Sequence, residues 1–323
     1  MKRPAEDAVD ESGSSGDEED EAEAATDSAA PSTGASGGQL GRLPGRRKKS
    51  QVTLSDGRVV SSKVRNHVNP LLPHFQKPVA VRDWSKVYKD LSKPIVLDLG
   101  CAKGRFCLEG AKRFPEFNWL GIEIREPLVV RANEWVVEEK IPNLHYIFGN
   151  ASAGIADLLA SMPTGMLRRV TVQCPDPCFK KKHQKRRMVT DRVISELADG
   201  MLAGNYLFVQ SDVEQVSMQM ADVIAANGRF ERVERIEDAV APSAAIEPVA
   251  RPNATVGKDY QDHAVGGGEW EHKGTGAVEG SYNWLQENPL GLMSERESST
   301  LSRSLPIFRA LYRRKDEVKK AAE

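Results

Sequence analysis

An acid held between two prolines, Pro175-Asp176-Pro177, is the residue of this sequence best placed for chemistry. Proline fixes its own φ and pushes the preceding residue into extended backbone, so Asp176 is confined to a rigid segment. Six Lys or Arg follow within eight positions: Lys180, Lys181, Lys182, Lys185, Arg186 and Arg187. A helix is expected from about Arg187 to Leu202, and a helix N-terminus favours acids. A basic cluster there is unfavourable unless an anion binds, and a phosphate backbone is the natural candidate. The alternative is a solvated basic helix start. Cys174 and Cys178 flank the acid and, with Cys101, Cys107 and His183, invite a metal. Their spacings match no zinc ribbon or finger, so no metal ligand is assigned.

A second group of residues suits a nucleoside. Asp98-Leu99-Gly100-Cys101-Ala102-Lys103-Gly104 follows an apolar run, and its glycines allow a tight turn and close backbone approach. Glu123 ends the next apolar run, where a carboxylate can accept from both hydroxyls of a ribose. Asn150-Ala151 follows the third run, where an amide can read an adenine edge. A dinucleotide fingerprint needs glycine where Ala102 stands, and no P-loop is present. S-adenosylmethionine carries no phosphate and needs only a turn, a ribose acid and an adenine pocket. Gly100, Glu123 and Asn150 are therefore candidates for a cofactor seat. Asp212 is open to two readings, a substrate contact or an ordinary helix N-cap ahead of Val213.

The elements that must position these residues alternate. Strands are expected at 95–99, 119–124, 145–148, 170–174 and 206–210, with 230–235 as a sixth and 306–313 as a last. Helices are expected at 105–113, 127–140, 155–161, 187–202 and 214–226. Near-continuous apolar strands alternating with helices predict an α/β fold, a mostly parallel sheet with helices on both faces. Ligands in such sheets sit at the carboxyl ends of the strands, where Gly100, Glu123, Asn150, Asp176 and Asp212 all fall.

Composition sets the flanks. The formal net charge of −1 hides a split: residues 1–40 carry −9 and the remainder +8. Such asymmetry points to a polyanion partner for the basic body. Residues 1–50 are too poor in apolar side chains to offset chain entropy, so they are expected to be disordered. They end in Gly45-Arg46-Arg47-Lys48-Lys49, which reads as a nuclear import signal, a polyanion contact or a solvated linker. Residues 51–93 form an N-terminal arm, 94–236 the core, 237–290 a Gly- and Pro-rich mobile insertion, 291–315 a closing segment, and 316–323 a frayed end. No apolar run is long enough for a membrane span and no secretory signal opens the chain. Four Cys make no disulfide framework, so free thiols in a reducing compartment are expected.

These motifs resemble the tRNA (guanine-N7-)-methyltransferase family. The resemblance is carried by Leu97-Asp98-Leu99-Gly100, Leu120-Gly121-Ile122-Glu123, Pro175-Asp176-Pro177 with its basic run, and Ser294-Glu295-Arg296-Glu297 before Leu305-Pro306-Ile307-Phe308-Arg309. It implies a class I methyltransferase (Rossmann-like) fold with seven strands, S-adenosylmethionine as cofactor, and Asp176 as the catalytic position. By the same resemblance Asp98, Ile124, Ala151 and Cys174 join Gly100, Glu123 and Asn150 as cofactor-binding candidates. Lys180, Asp212 and Ser294, Glu295, Arg296 and Glu297 match contacts to tRNA or the substrate guanine. The implied product is N7-methylguanine in the tRNA variable loop, at position 46. Cys174 and Cys178 depart from the pattern, which has an aromatic or apolar residue before Pro-Asp-Pro and Trp or His after it. Eukaryotic nuclear members pair with a WD-repeat subunit and bacterial members act alone. The acidic tail and basic runs suggest a nuclear address, with plastid or cytoplasm as alternatives. The competing readings are a methyltransferase of another substrate and a non-catalytic RNA-binding subunit of the same fold.

Overall fold

The computed structural model describes residues 51–54, 57–61, 64, 68–234 and 281–316. The acidic tail, the basic run at 46–49, Arg65-Asn66-His67 and most of the expected insertion lie outside the described residues. A short antiparallel hairpin, β1 (Gln51–Thr53) and β2 (Val59–Ser61), precedes an arm that ends in a one-turn helix, α1 (Trp84–Val87). The Trp84 indole of that turn donates to Ser161 Oγ at 3.0 Å, which ties the arm to the core.

The core is a seven-stranded sheet. Its strands are β3 (Ile95–Leu99), β4 (Asn118–Glu123), β5 (Leu144–Phe148), β6 (Leu167–Gln173), β7 (Tyr206–Ser211), β8 (Phe230–Val233) and β9 (Phe308–Arg314). Their order across the sheet is β5-β4-β3-β6-β7-β9-β8. The first five run parallel, and β9 inserts antiparallel between β7 and β8. This is the class I methyltransferase arrangement. Strand order reverses at β3, so the carboxyl ends of β3, β4 and β6 surround the switch point where α/β sheets bind ligands.

Every residue of β3, β4 and β7 is buried, as expected for strands covered on both faces. Leu97 and Leu99 pack with Leu158, Ile194, Leu197 and Ile224 on one face. Val96 packs with Phe106, Leu108, Val129 and Phe208 on the other. Each such side chain contributes about 1.5–3 kcal/mol on burial. The helices on these faces are α2 (Arg105–Arg113), α3 (Glu126–Glu138), α4 (Ala156–Ala160), α5 (Asp191–Gly200) and α6 (Glu214–Asn227).

Two sequence expectations change. The basic cluster does not open the helix after β6. Lys181–Arg186 forms a separate 3-10 turn, and α5 begins at Asp191 with Thr190 as its N-cap, Oγ1 accepting from Val193 N at 3.3 Å. The helix thus opens on a cap and a first-turn acid, and the basic cluster lies outside its first turn. The end of the expected insertion is also built into the fold. Leu285 bridges Arg309, Trp284 packs edge-on against Phe308, and Tyr282 donates to Asp222 Oδ1 at 2.9 Å. A final helix, α7 (Glu295–Ser302), then leads into β9.

Candidate active site

The turn after β3 is built by positive φ. Gly100 (φ 78°), Ala102 (φ 51°) and Gly104 (φ 76°) are left-handed, and the amides of Gly100 and Cys101 donate to Ile122 O at 2.8 and 3.1 Å. A Cβ on Gly104 would meet the Tyr146 ring at 2.5 Å, so only glycine allows that approach. The turn aims the Ala102 amide at Glu123 Oε2, 2.8 Å away.

Glu123 is buried, and its oxygens hold four donors. Besides Ala102, the Arg125 amide (3.0 Å), Nε (2.8 Å) and Nη2 (3.1 Å) all reach it. Burial opposes the charge on Arg125, but Glu123 outweighs it and Asp176 adds to the effect, so the guanidinium is held above its usual range. Arg125 thus binds the acid that ends β4 and feels the charge of the acid that follows β6. Sequence reasoning missed it, although an arginine two places beyond a strand-end acid was the available signal.

Asp98 lies beneath this turn. Its Oδ1 accepts from Thr171 Oγ1 (2.6 Å) and Gln173 Nε2 (3.3 Å), and its Oδ2 faces the Cys107 thiol at 3.9 Å. Burial raises its pKa to about 6 despite those donors. Burial also pushes the Cys101 and Cys107 thiols well up, so both stay protonated. Among the described residues no three His, Cys, Asp or Glu side chains gather as a metal site.

The Asn150 side chain is committed to the N-terminal arm. Its Nδ2 donates to Pro70 O and Phe75 O, each at 3.1 Å, while Oδ1 accepts from Ser152 N at 3.0 Å. Both amide hydrogens are spent on the N-terminal arm, which leaves no donor for an adenine edge. Phe75 lies edge-on to Phe148 at 6.4 Å, so the arm walls this side of the site. Ala151 is buried in the core and Ile124 is half-buried just past β4.

Beyond β6 the chain kinks twice. Cys174 (φ 47°) and Cys178 (φ 48°) are both left-handed and bracket Pro175-Asp176-Pro177. Two non-glycine residues so placed cost about 1–3 kcal/mol each, and such strain gathers at functional sites. Cys174 is tied to β7 through its amide, 2.8 Å from Gln210 O, and burial pushes its thiol up to about 12. Asp176 is exposed, with Oδ1 accepting from Cys178 N at 3.3 Å. Lys180, Lys181, Lys182 and Lys185 are exposed beside it, and Arg186 and Arg187 are half-buried. The Nε of Arg186 is buried without a hydrogen-bond partner among the described residues.

The α7 residues divide. Ser294 is the N-cap, accepting from Glu297 N at 3.3 Å. Glu295 accepts from Arg105 Nη1 at 2.7 Å, and Arg296 donates to Asp212 Oδ2 from Nε at 2.7 Å. Glu297 is fully buried, with Oε1 bound by Arg309 Nη2 (2.7 Å) and Oε2 by Asn288 (2.8 Å) and Gln210 (3.1 Å). Its expected place among the substrate contacts is corrected: the carboxylate holds α7 on the sheet. Nor does Asp212 cap α6, whose N-cap is Val213. It tethers α7 instead.

Comparison with known proteins decides the family. The family described as putative methyltransferase matches residues 92–262. The tRNA (guanine-N(7)-)-methyltransferase of Trichormus variabilis is 38% identical over 252 residues, covering 78% of this chain and 96% of that protein. The chain belongs to the tRNA (guanine-N(7)-)-methyltransferase family. The same-named protein of Synechococcus elongatus is 39% identical over 250 residues, 77% of this chain and 95% of its own. That of Thermosynechococcus vestitus is 46% identical over 177 residues, 55% and 81% respectively.

The residues present fit the family's cofactor, S-adenosylmethionine. A buried carboxylate at the β4 end, beside a glycine turn with no phosphate cradle, suits a ribose diol without phosphate. The Ala102 amide and Arg125 orient the Glu123 carboxylate at that place.

Proposed function

We propose that this chain transfers a methyl group from S-adenosylmethionine to N7 of a guanine in the tRNA variable loop, at position 46. The observation that carries the reading is the place of Asp176. It stands on a strained, proline-fixed segment that leads into an exposed basic turn, and its charge reaches the Arg125 guanidinium that binds Glu123.

The cofactor, when bound, supplies an electrophilic methyl group on a sulfonium. Glu123 and the turn at Gly100 to Gly104 hold its nucleoside, with Asp98 bracing the turn from below. Guanine N7 has an in-plane lone pair and no proton, so no general base is required. Positioning supplies most of the rate. Positive charge passes onto the purine during transfer, and the fixed Asp176 carboxylate stabilises it. The same carboxylate can orient the base by accepting from guanine N1–H or the N2 amine. Lys180, Lys181, Lys182, Lys185, Arg186 and Arg187 hold phosphates, which position the RNA without reading its sequence.

Two of the cyanobacterial relatives, those of Trichormus variabilis and Synechococcus elongatus, are covered almost end to end, which supports action without a WD-repeat subunit. For the compartment, the basic runs favour the nucleus and the cyanobacterial likeness a plastid; imaging of a tagged full chain separates the two. The function is tested by incubating purified protein with bulk tRNA and labelled methyl donor, then mapping the product. The expected product is N7-methylguanine in the variable loop. Label on another RNA position, on protein, or nowhere despite cofactor binding contradicts the reading in favour of another substrate or a non-catalytic subunit.

A further inference from the structure

The mechanism above leaves unused a row of buried and half-buried polar side chains that crosses the middle of the sheet. Gln173 on β6, Gln210 on β7 and Arg309 on β9 are direct cross-strand partners. Gln173 Nε2 donates to Asp98 Oδ1 at 3.3 Å, and its Oε1 accepts from Gln210 Nε2 at 2.9 Å. The same Gln210 nitrogen donates to Glu297 Oε2 at 3.1 Å, and Arg309 closes the row on Glu297 Oε1. The row begins beneath the cofactor turn and ends in α7, which carries Ser294, Glu295 and Arg296.

Its polarity is set from both ends. Asp98 and Glu297 each accept in the row, so each glutamine turns its nitrogen toward a carboxylate. Gln210 then spends both amide hydrogens, one on Glu297 and one on Gln173. Its own Oε1 is left buried with no partner, in a side chain with no exposed surface. An unsatisfied buried acceptor costs about 1–3 kcal/mol, and an apolar row of the same shape would avoid it. Stability alone does not explain these residues. In such a row each amide's orientation fixes the next, so displacing the group at one end leaves its neighbour without a partner.

We propose that Gln173 and Gln210 are positioning residues that couple the cofactor seat to α7, so that cofactor and tRNA each tighten the binding of the other. The proposal rests on the functional reading above. Coupling of this kind is reciprocal: the factor by which the first ligand improves the second equals the converse.

The test uses the full chain and two ligands, bulk tRNA and the non-reacting product S-adenosylhomocysteine. The Kd of each is measured with and without a saturating amount of the other. The wild-type protein is expected to show a coupling factor of about 5 or more, equal in both directions. In Gln210→Met, which keeps the side-chain length, both ligands still bind and the factor falls to about 1. Should that variant fail to fold, Gln173→Met gives the same reading, since Glu297 keeps Arg309 and Asn288. An unchanged factor in the variants, or no coupling in the wild type, overturns the proposal. A wild-type protein that binds S-adenosylhomocysteine but no tRNA overturns the functional reading itself.

Discussion

Glu123 ends β4 buried at 3% exposure with four donors on its oxygens, whereas Asp176 follows β6 on an exposed segment kinked at both ends. Both acids act on one arginine, Arg125: Glu123 by direct hydrogen bonds and Asp176 through its charge. The difference matches two kinds of ligand. A nucleoside is recognised in a concave site whose polar groups are fixed beforehand. A folded RNA needs an open face, where exposed cations meet phosphates and salt competes. The buried half owes its order to the sheet, and the exposed half owes its order to two prolines and two left-handed cysteines.

If that contrast holds, the buried half should punish substitution through stability and the exposed half through function. Glu297→Ala leaves the Arg309 guanidinium buried without its carboxylate, and breaking such a pair costs about 3–5 kcal/mol. Urea unfolding is the measurement, and a loss under 1 kcal/mol would place Glu297 among the exposed contacts after all. Asp98 comes next. Its folded pKa of about 6 lies above the ordinary carboxylate value, so the native state binds the proton more tightly. Its contribution to stability is present below about pH 4 and is lost as pH rises to about 6, on the order of 2–3 kcal/mol. Asp98→Asn should therefore gain in Tm relative to wild type between pH 4 and pH 7; a constant difference would contradict the buried-acid assignment.

Smaller effects belong to the exposed half. Neutralising Lys181 and Lys182 should leave Tm unchanged and reduce the slope of log K for tRNA against log salt by about 0.7–0.9 per lost phosphate contact. An unchanged slope removes them from the RNA face. The Arg105–Glu295 pair, 46% and 35% exposed, should contribute at most about 1 kcal/mol to stability and fade at high salt. A double-mutant cycle measures it, and a salt-independent coupling would mean the pair is not exposed in solution.

Much of this was legible in the sequence, for physical reasons. Apolar runs of five or six residues ending in Gly100 or Glu123 are what a strand buried on both faces must look like. Pro-Asp-Pro is rigid in any context. Side-chain commitments were not legible. Asn150 and Glu297 carry the residue types of ligand contacts, but tertiary partners far along the chain, Pro70 and Phe75 for one and Arg309 for the other, claimed their polar atoms. The basic run was misplaced for a different reason. Its composition is compatible with a helix start, and only the Thr190 cap and Asp191 show where the helix begins. Gln173 and Gln210 gave no signal at all, since a lone glutamine in a strand reads as an edge or surface residue.

The central claim is that Asp176 serves the transfer step and not the cofactor seat. It is tested by Asp176→Asn, measured once for the Tm rise that S-adenosylmethionine produces and once for single-turnover methylation of tRNA. The account predicts a wild-type Tm rise with methyl transfer reduced about 10²–10³-fold. Turnover at the wild-type rate, or loss of the Tm rise, would contradict it.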